Sequence, residues 1–415
     1  MLDSPSHQRN KPLMRWDLLR SAHWLHRERA WDYLRFLAIL SCGLLILQLG
    51  TSRGGVDRNG FLLGTDFLSF WSAGKLLVAG SSPYDIPAHI AMQRSVYASG
   101  TGHLGYFYPP VFELWSYPLG LLGYFPALFV WTAAGLAAYV AAARLWLGQL
   151  SLRAVLVAVA AFPAVLLTIT HGQTSLFVSA LLGGGLWLVA GGRKVLGGLL
   201  LGLAVIKPQF GVLIPLVLLA GREWRAIFAA TASAVLSAGL ATLCFGIDEW
   251  ARWQSVSGAV QSVMDGGTVG FAKMQSVFSG LRLLGADVLT AYVVQGGVAL
   301  VVAAGLILAV RRTGLTAEAA AATLVGALLT TPFLLDYDLV LLGFPIASLA
   351  SRPALPWERI VCALCFAVPA FARAIGIYAG IPIAPLLVAI LFGLLIRRMW
   401  LAPNAKGAAI ATPLE

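Results

Sequence analysis

The chain has 415 residues, 59% of them hydrophobic and only 11% charged, where soluble domains carry about 25% charged side chains. Its net charge of +11 comes from basic residues spread thinly between apolar runs, which is a topology signal and not a nucleic-acid-binding patch. Composition therefore excludes a soluble enzyme and a nucleic-acid-binding module, and predicts an all-α polytopic membrane protein.

Residues 1–32 form a basic, polar lead that includes Arg9, Lys11, Arg15, Arg20, Arg27 and Arg29. It is long for a cleaved signal peptide and predicts an uncleaved anchor with a cytoplasmic N-terminus. A bilayer takes about 20 apolar residues to span, with shorter helices tolerated inside bundles. The apolar runs predict a membrane domain over 33–398, with spans near 33–50, 127–147, 154–170, 175–190, 195–207, 209–220, 226–245, 289–310, 317–331, 339–350, 360–373 and 383–398. A cytoplasmic tail follows at 399–415.

The stretch 109–125 is apolar but holds internal prolines and Glu113. Counted as a span, it would put Arg193, Lys194, Arg222, Arg225, Arg311 and Arg312 outside the cell. Left as a re-entrant or surface-lying hairpin, it keeps them cytoplasmic with Arg144, Arg153, Arg352, Arg359, Arg397 and Arg398, as the positive-inside rule requires. The prediction is about 12 transmembrane helices with both ends cytoplasmic, and two long polar segments, 51–126 and 246–288, facing outward. The short cytoplasmic connections cannot form a nucleotide-binding domain, so any chemistry is expected on the extracytoplasmic face.

Within the first outer segment, residues 66–79 predict an amphipathic interfacial helix rich in aromatic side chains, with Asp66 at its start. Gly80-Ser81-Ser82-Pro83 ends it, and Asp85 followed by Pro87 predicts the N-cap of a second helix running to about Ala98. Asp66 has two readings. A helix cap needs only a short polar side chain, which Thr65 also supplies, whereas a carboxylate among interfacial aromatics suits a general base for a sugar hydroxyl.

Farther along, His171, Gln173 and Thr174 make a polar cluster between two spans, suited to interhelical hydrogen bonds or to substrate contact. The runs Gly183-Gly184-Gly185 and Gly197-Gly198 follow no strand and predict close helix packing. Lys207 is either a snorkelling lysine or a phosphate ligand. Lys273, Gln275 and Ser276 lie in the second outer segment, which is expected to close over the site, and Arg252 and Arg282 there read as surface charges. Asp336 and Asp338 flank Tyr337; the triplet suits sugar or lysine contact better than a metal, because D-x-D metal sites belong to soluble nucleotide-sugar enzymes. Cys362 and Cys365 have C-x-x-C spacing inside an apolar run with no accompanying histidine, and read as helix packing.

Taken in order, Thr65-Asp66-Phe67, Ser72-Ala73-Gly74, Gly80 to Asp85, Tyr106-Phe107-Tyr108-Pro109-Pro110, His171 to Ser175, Gly202 to Pro208, Gln275 to Gly280 and Thr331 to Asp338 resemble glycosyltransferase family 87 over roughly residues 35–345. That family includes mycobacterial polyprenyl-phosphate-mannose-dependent α-mannosyltransferases. The resemblance implies a GT-C-type helical bundle, a polyprenyl-phosphate sugar donor, inverting transfer and Asp66 as the catalytic aspartate. Along the same motifs, Lys75, Tyr84, Tyr108, His171, Gln173, Lys207, Gln275, Asp336 and Asp338 are the candidate donor- and acceptor-binding residues. Mycobacterial members carry a Ser-Trp-x-His-His-type run where this chain has Leu334-Leu335-Asp336-Tyr337-Asp338, which weakens the transfer of mannose specificity.

The expectation is an inverting hexosyltransferase of the plasma membrane. It would act on a glycan or glycolipid acceptor at the outer face, with no cofactor, no metal and no nucleic-acid partner. A polytopic transporter or lipid flippase is the alternative; it calls for inverted repeats and titratable groups deep within spans. A non-catalytic envelope scaffold is a further one.

Overall fold

The computed structural model describes residues 15–98 and 104–402. Arg9 and Lys11 of the basic lead, and the tail beyond residue 402, lie outside the described residues. In chain order the helices are α1 (Arg15–Ser21), α2 (Arg27–Thr51), α3 (Phe67–Val78), α4 (Ile86–Val96), α5 (Glu113–Gly120), α6 (Tyr124–Trp146), α7 (Leu152–Ala161), α8 (Pro163–His171), α9 (Ser175–Ala190) and α10 (Lys194–Leu203). They continue as α11 (Leu213–Ala220), α12 (Trp224–Phe245), α13 (Asp248–Asp265), α14 (Val277–Leu283), α15 (Val288–Thr313), α16 (Ala317–Thr330), α17 (Gly343–Ala350), α18 (Glu358–Ala379) and α19 (Ile383–Leu401). Tighter 3₁₀ segments stand at Pro110–Phe112, Ala204–Ile206, Pro208–Phe210 and Asp336–Leu342.

All twelve predicted spans fall on helical stretches. Among the described residues, six helices (α2, α6, α12, α15, α18 and α19) are individually long and apolar enough to cross a membrane. The chain is thus a multi-pass membrane protein. Several other apolar helices are only 10–17 residues long, short of the about 20 residues that a single span takes. The predicted span 154–170 is in fact two helices, α7 and α8, bent by 72°. Pro163 is the cause: it opens α8 and forces Phe162 before it into an extended conformation, with ψ 114°.

The bundle centres on α16, in which every residue from Ala319 to Leu329 is buried. The glycine runs do what their spacing predicts. A Cβ on Gly197 would lie 2.6 Å from the Gly185 carbonyl oxygen, and one on Gly202 2.3 Å from that of Ala230, so α9, α10 and α12 meet backbone to backbone. Stretch 109–125 forms a 3₁₀ turn and the eight-residue α5, too short to cross.

The first outer segment departs from expectation in one respect. Helix α3 has ten of its twelve residues buried, so it is wrapped by protein and does not lie with one face on a membrane surface. Its aromatic side chains build a core instead: Phe67 meets Tyr124 and Trp131, and Phe70 meets Tyr108 and Phe112 edge-on at 5.2 Å. Asp85 caps α4 as its spacing predicts, accepting from the Ala88 N–H at 3.1 Å.

Candidate active site

Asp66 immediately precedes α3, but its side chain makes no capping hydrogen bond. Its backbone N–H donates instead to the His171 carbonyl at 3.0 Å, which brings the end of α8 against the start of α3. Gly172 makes that junction possible. It turns the chain with φ +64°, and a Cβ there would stand 2.5 Å from the Phe67 Cβ. The Gly172 carbonyl accepts from the Trp131 indole at 3.0 Å, which fixes the turn from a third helix.

The turn aims Gln173. Its Nε2 donates to Asp66 Oδ2 at 2.7 Å and to the Tyr337 hydroxyl at 3.0 Å. The amide cannot flip without loss, because its Oε1 accepts from the Thr174 N–H at 3.2 Å and from the Tyr108 hydroxyl at 3.4 Å. Tyr108 also shares a hydrogen bond with the Thr174 hydroxyl at 3.0 Å and packs against Phe112 with ring centroids 4.3 Å apart. Asp66 is half-buried, and its second oxygen takes no hydrogen bond from protein among the described residues. One oxygen is held and the other is open, the arrangement a proton acceptor needs.

Tyr337 is the hub that sequence reasoning passed over as a mere spacer between two aspartates. Its hydroxyl meets Gln173, its ring lies 5.6 Å from that of His171, and the ammonium groups of Lys207 and Lys273 stand 5.5 and 5.7 Å from its centroid. Burial holds the Tyr108 and Tyr337 phenols well above their ordinary value, so both remain protonated. His171 Nδ1 lies 2.9 Å from the Leu167 carbonyl. A carbonyl only accepts, so the ring donates from Nδ1–H in this contact.

The other predicted residues divide. Lys207 is buried and ion-paired with Asp338 at 2.5 Å. The same Asp338 oxygen accepts from the Ser175 hydroxyl at 2.5 Å, and its partner oxygen takes the Leu335 N–H at 3.1 Å. Asp336 faces elsewhere. It accepts from the Tyr337 N–H at 3.0 Å, and burial raises its carboxyl against the pull of Lys273, His171 and Arg373. Gln275 is a clasp: its backbone donates to the Leu334 carbonyl at 2.7 Å and its side chain to that of Ala272 at 2.8 Å. It joins the second outer segment to the stretch between α16 and the 3₁₀ segment Asp336–Leu342 without aiming a polar group inward. Lys75 lies nine residues beyond Asp66, about 13 Å along α3 at 1.5 Å per residue, and its ammonium sits over Trp71 at 5.4 Å. Tyr84 donates to the Tyr108 carbonyl at 2.8 Å and so supports the site from behind. Ser175 closes the His171-to-Ser175 motif but does not stand out there as a site residue, and Arg373 carries no sequence signal beyond residue type.

The family model for glycosyltransferase family 87 matches residues 106–335, more than half of the chain. No curated protein and no solved structure matches it. Asp66 lies before the first matched residue, so its assignment stands on the geometry above and on the motif it occupies.

Proposed function

Because the chain belongs to glycosyltransferase family 87 and is therefore a membrane glycosyltransferase, we propose that it moves a hexose, mannose foremost, from a polyprenyl-phosphate donor to an envelope glycan or glycolipid. The reaction takes place on the extracytoplasmic face of the plasma membrane. The acceptor hydroxyl attacks the anomeric carbon as the bond from that carbon to the phosphate oxygen breaks. Asp66 takes the hydroxyl proton, the configuration inverts, and polyprenyl phosphate leaves with the bonding pair. Positive charge near the phosphate stabilises that leaving group: Lys207 keeps N–H groups beyond the one given to Asp338, and Lys273 has no carboxylate in ion-pair reach among the described residues.

The observation that carries this reading is the Asp66 carboxylate, with one oxygen pinned by Gln173 and the other open, beside a tyrosine ring flanked by two ammonium groups. The test offers the purified protein a panel of polyprenyl-phosphate sugars and follows release of polyprenyl phosphate. Asp66→Asn keeps an acceptor for Gln173 but removes the base, so release should fall by about 10²–10⁴-fold while thermal stability holds. Release at the wild-type rate would remove Asp66 from the mechanism.

A further inference from the structure

At the N-terminal end of α2, away from Asp66, the structure holds a cavity of about 440 Å³ between α2 and α7. Three arginines line it. Arg27 and Arg35 stand with Trp31 at intervals of four along α2, hence on one helix face, and Arg153 comes from the first turn of α7. Leu150 and Val157 give the cavity an apolar wall.

The charges do not cancel. Arg35 pairs with Asp32 at 3.0 Å, both side chains more than half exposed, an arrangement that contributes little. Among the described residues, neither Arg27 nor Arg153 has a carboxylate within ion-pair distance. Three guanidinium groups against one carboxylate leave the cavity with two uncompensated positive charges. Guanidinium groups bind phosphate oxygens in pairs, so a phosphate is the chemical group this excess selects.

Location decides which phosphate. Helix α2 is one of the helices long and apolar enough to cross a membrane, and Arg27 and Arg35 occupy its first turns, where the span meets the headgroup layer. Trp31 and the neighbouring Tyr33 belong at that level. A soluble anion would gain nothing from Leu150 and Val157, whereas a lipid puts its acyl chains against them. The net positive charge also disfavours headgroups that carry their own ammonium. We infer that this cavity is a binding site for one anionic phospholipid, with the headgroup phosphate held by Arg27, Arg35 and Arg153 and the glycerol end resting against Trp31.

The experiment purifies the full chain in detergent and measures retained lipid by native mass spectrometry, after exposure to phosphatidylglycerol or to phosphatidylcholine. One phosphatidylglycerol per chain should be retained in preference to the choline lipid. Arg27→Gln/Arg153→Gln should lower that retention by about tenfold or more, while Arg225→Gln, a charge change elsewhere on the surface, should not. Equal retention of both lipids, or no loss in the double variant, would overturn the assignment. Displacement of the lipid by millimolar inorganic phosphate would overturn the lipid source and leave a plain anion site. Should the double variant fail to fold, a photo-crosslinking phosphatidylglycerol on the wild-type chain gives an independent reading. Adducts are expected within 27–35 and 149–157, and their absence there would sink the proposal.

Discussion

Gln173 shows how much of this site depends on a single side chain that carries no charge. Its amide is oriented from the acceptor side by Thr174 and Tyr108 and delivers both donors, to Asp66 and to Tyr337. Gln173 is a positioning residue, and its loss should read differently from the loss of the base. In Gln173→Leu the carboxylate loses the donor that holds one of its oxygens, so its orientation is no longer fixed. With geometry loosened, kcat should fall by about tenfold, equivalent to roughly 1.4 kcal/mol of lost transition-state stabilisation, at nearly constant KM. A raised KM with an unchanged kcat would mean that Gln173 serves binding and does not position Asp66. In sequence, the cluster His171-Gly172-Gln173-Thr174 announced polar contacts between helices. It could not say that the partner was a carboxylate 107 residues away, because a through-space contact leaves no local periodicity.

At the scale of helices and turns, legibility followed local rules. Asp85 and Pro87 set the start of α4 by capping chemistry, and the glycine runs predicted the close approach of α9 to α10, since both signals act within a few residues or on one helix face. The burial of α3 was not legible, because an aromatic-rich face looks the same whether lipid or Trp131 and Phe112 cover it. The bend between α7 and α8 was written in Pro163 but hidden by the unbroken apolar run around it. The pairing of Lys207 with Asp338 belongs to this scale too, for it locks the turn after α10 against the 3₁₀ segment that follows α16. Removing one partner of so buried a pair leaves a charge uncompensated, at a cost of about 3–5 kcal/mol. Asp338→Asn should therefore lower the melting temperature in detergent markedly, whereas Lys207→Met/Asp338→Leu should recover most of that loss while staying inactive. If the double variant melts as low as the single one, the pair is not the source of the stability.

Across the whole molecule, the two outer segments are tied together. The Ser82 hydroxyl donates to Glu249 at 2.6 Å, and the Trp253 indole to the Phe107 carbonyl at 3.1 Å. Beneath this contact lies Glu113, fully buried with neither carboxyl oxygen hydrogen-bonded; the Tyr84 hydroxyl that faces it donates to Tyr108 instead. Burial and then the nearby Glu249 charge push its carboxyl up to about 8 from an ordinary 4.5. Between those values the folded chain holds a proton that the unfolded chain has released, so stability should fall as pH rises from 4.5 to 8 and show no further loss from this group above that. Melting curves of wild type and Glu113→Gln across pH 5–9 should diverge, the wild type losing stability with rising pH and the variant flatter; parallel curves would remove Glu113 as the cause. The same tie constrains topology, because segments hydrogen-bonded to each other share one side of the bilayer and an even number of crossings must separate them. The six helical stretches read as spans between residues 127 and 245 satisfy this, and so do the two between 289 and 331, which return the chain to the Gln275–Leu334 contact. With the native cysteines replaced, a membrane-impermeant thiol reagent applied to intact cells should label Asn59→Cys and Ser255→Cys, both exposed positions. It should reach Arg193→Cys, in the turn between α9 and α10, only after permeabilisation. Labelling of position 193 from outside, or of positions 59 and 255 from opposite sides, would break the proposed twelve-span arrangement and with it the proposed extracytoplasmic placement of Asp66.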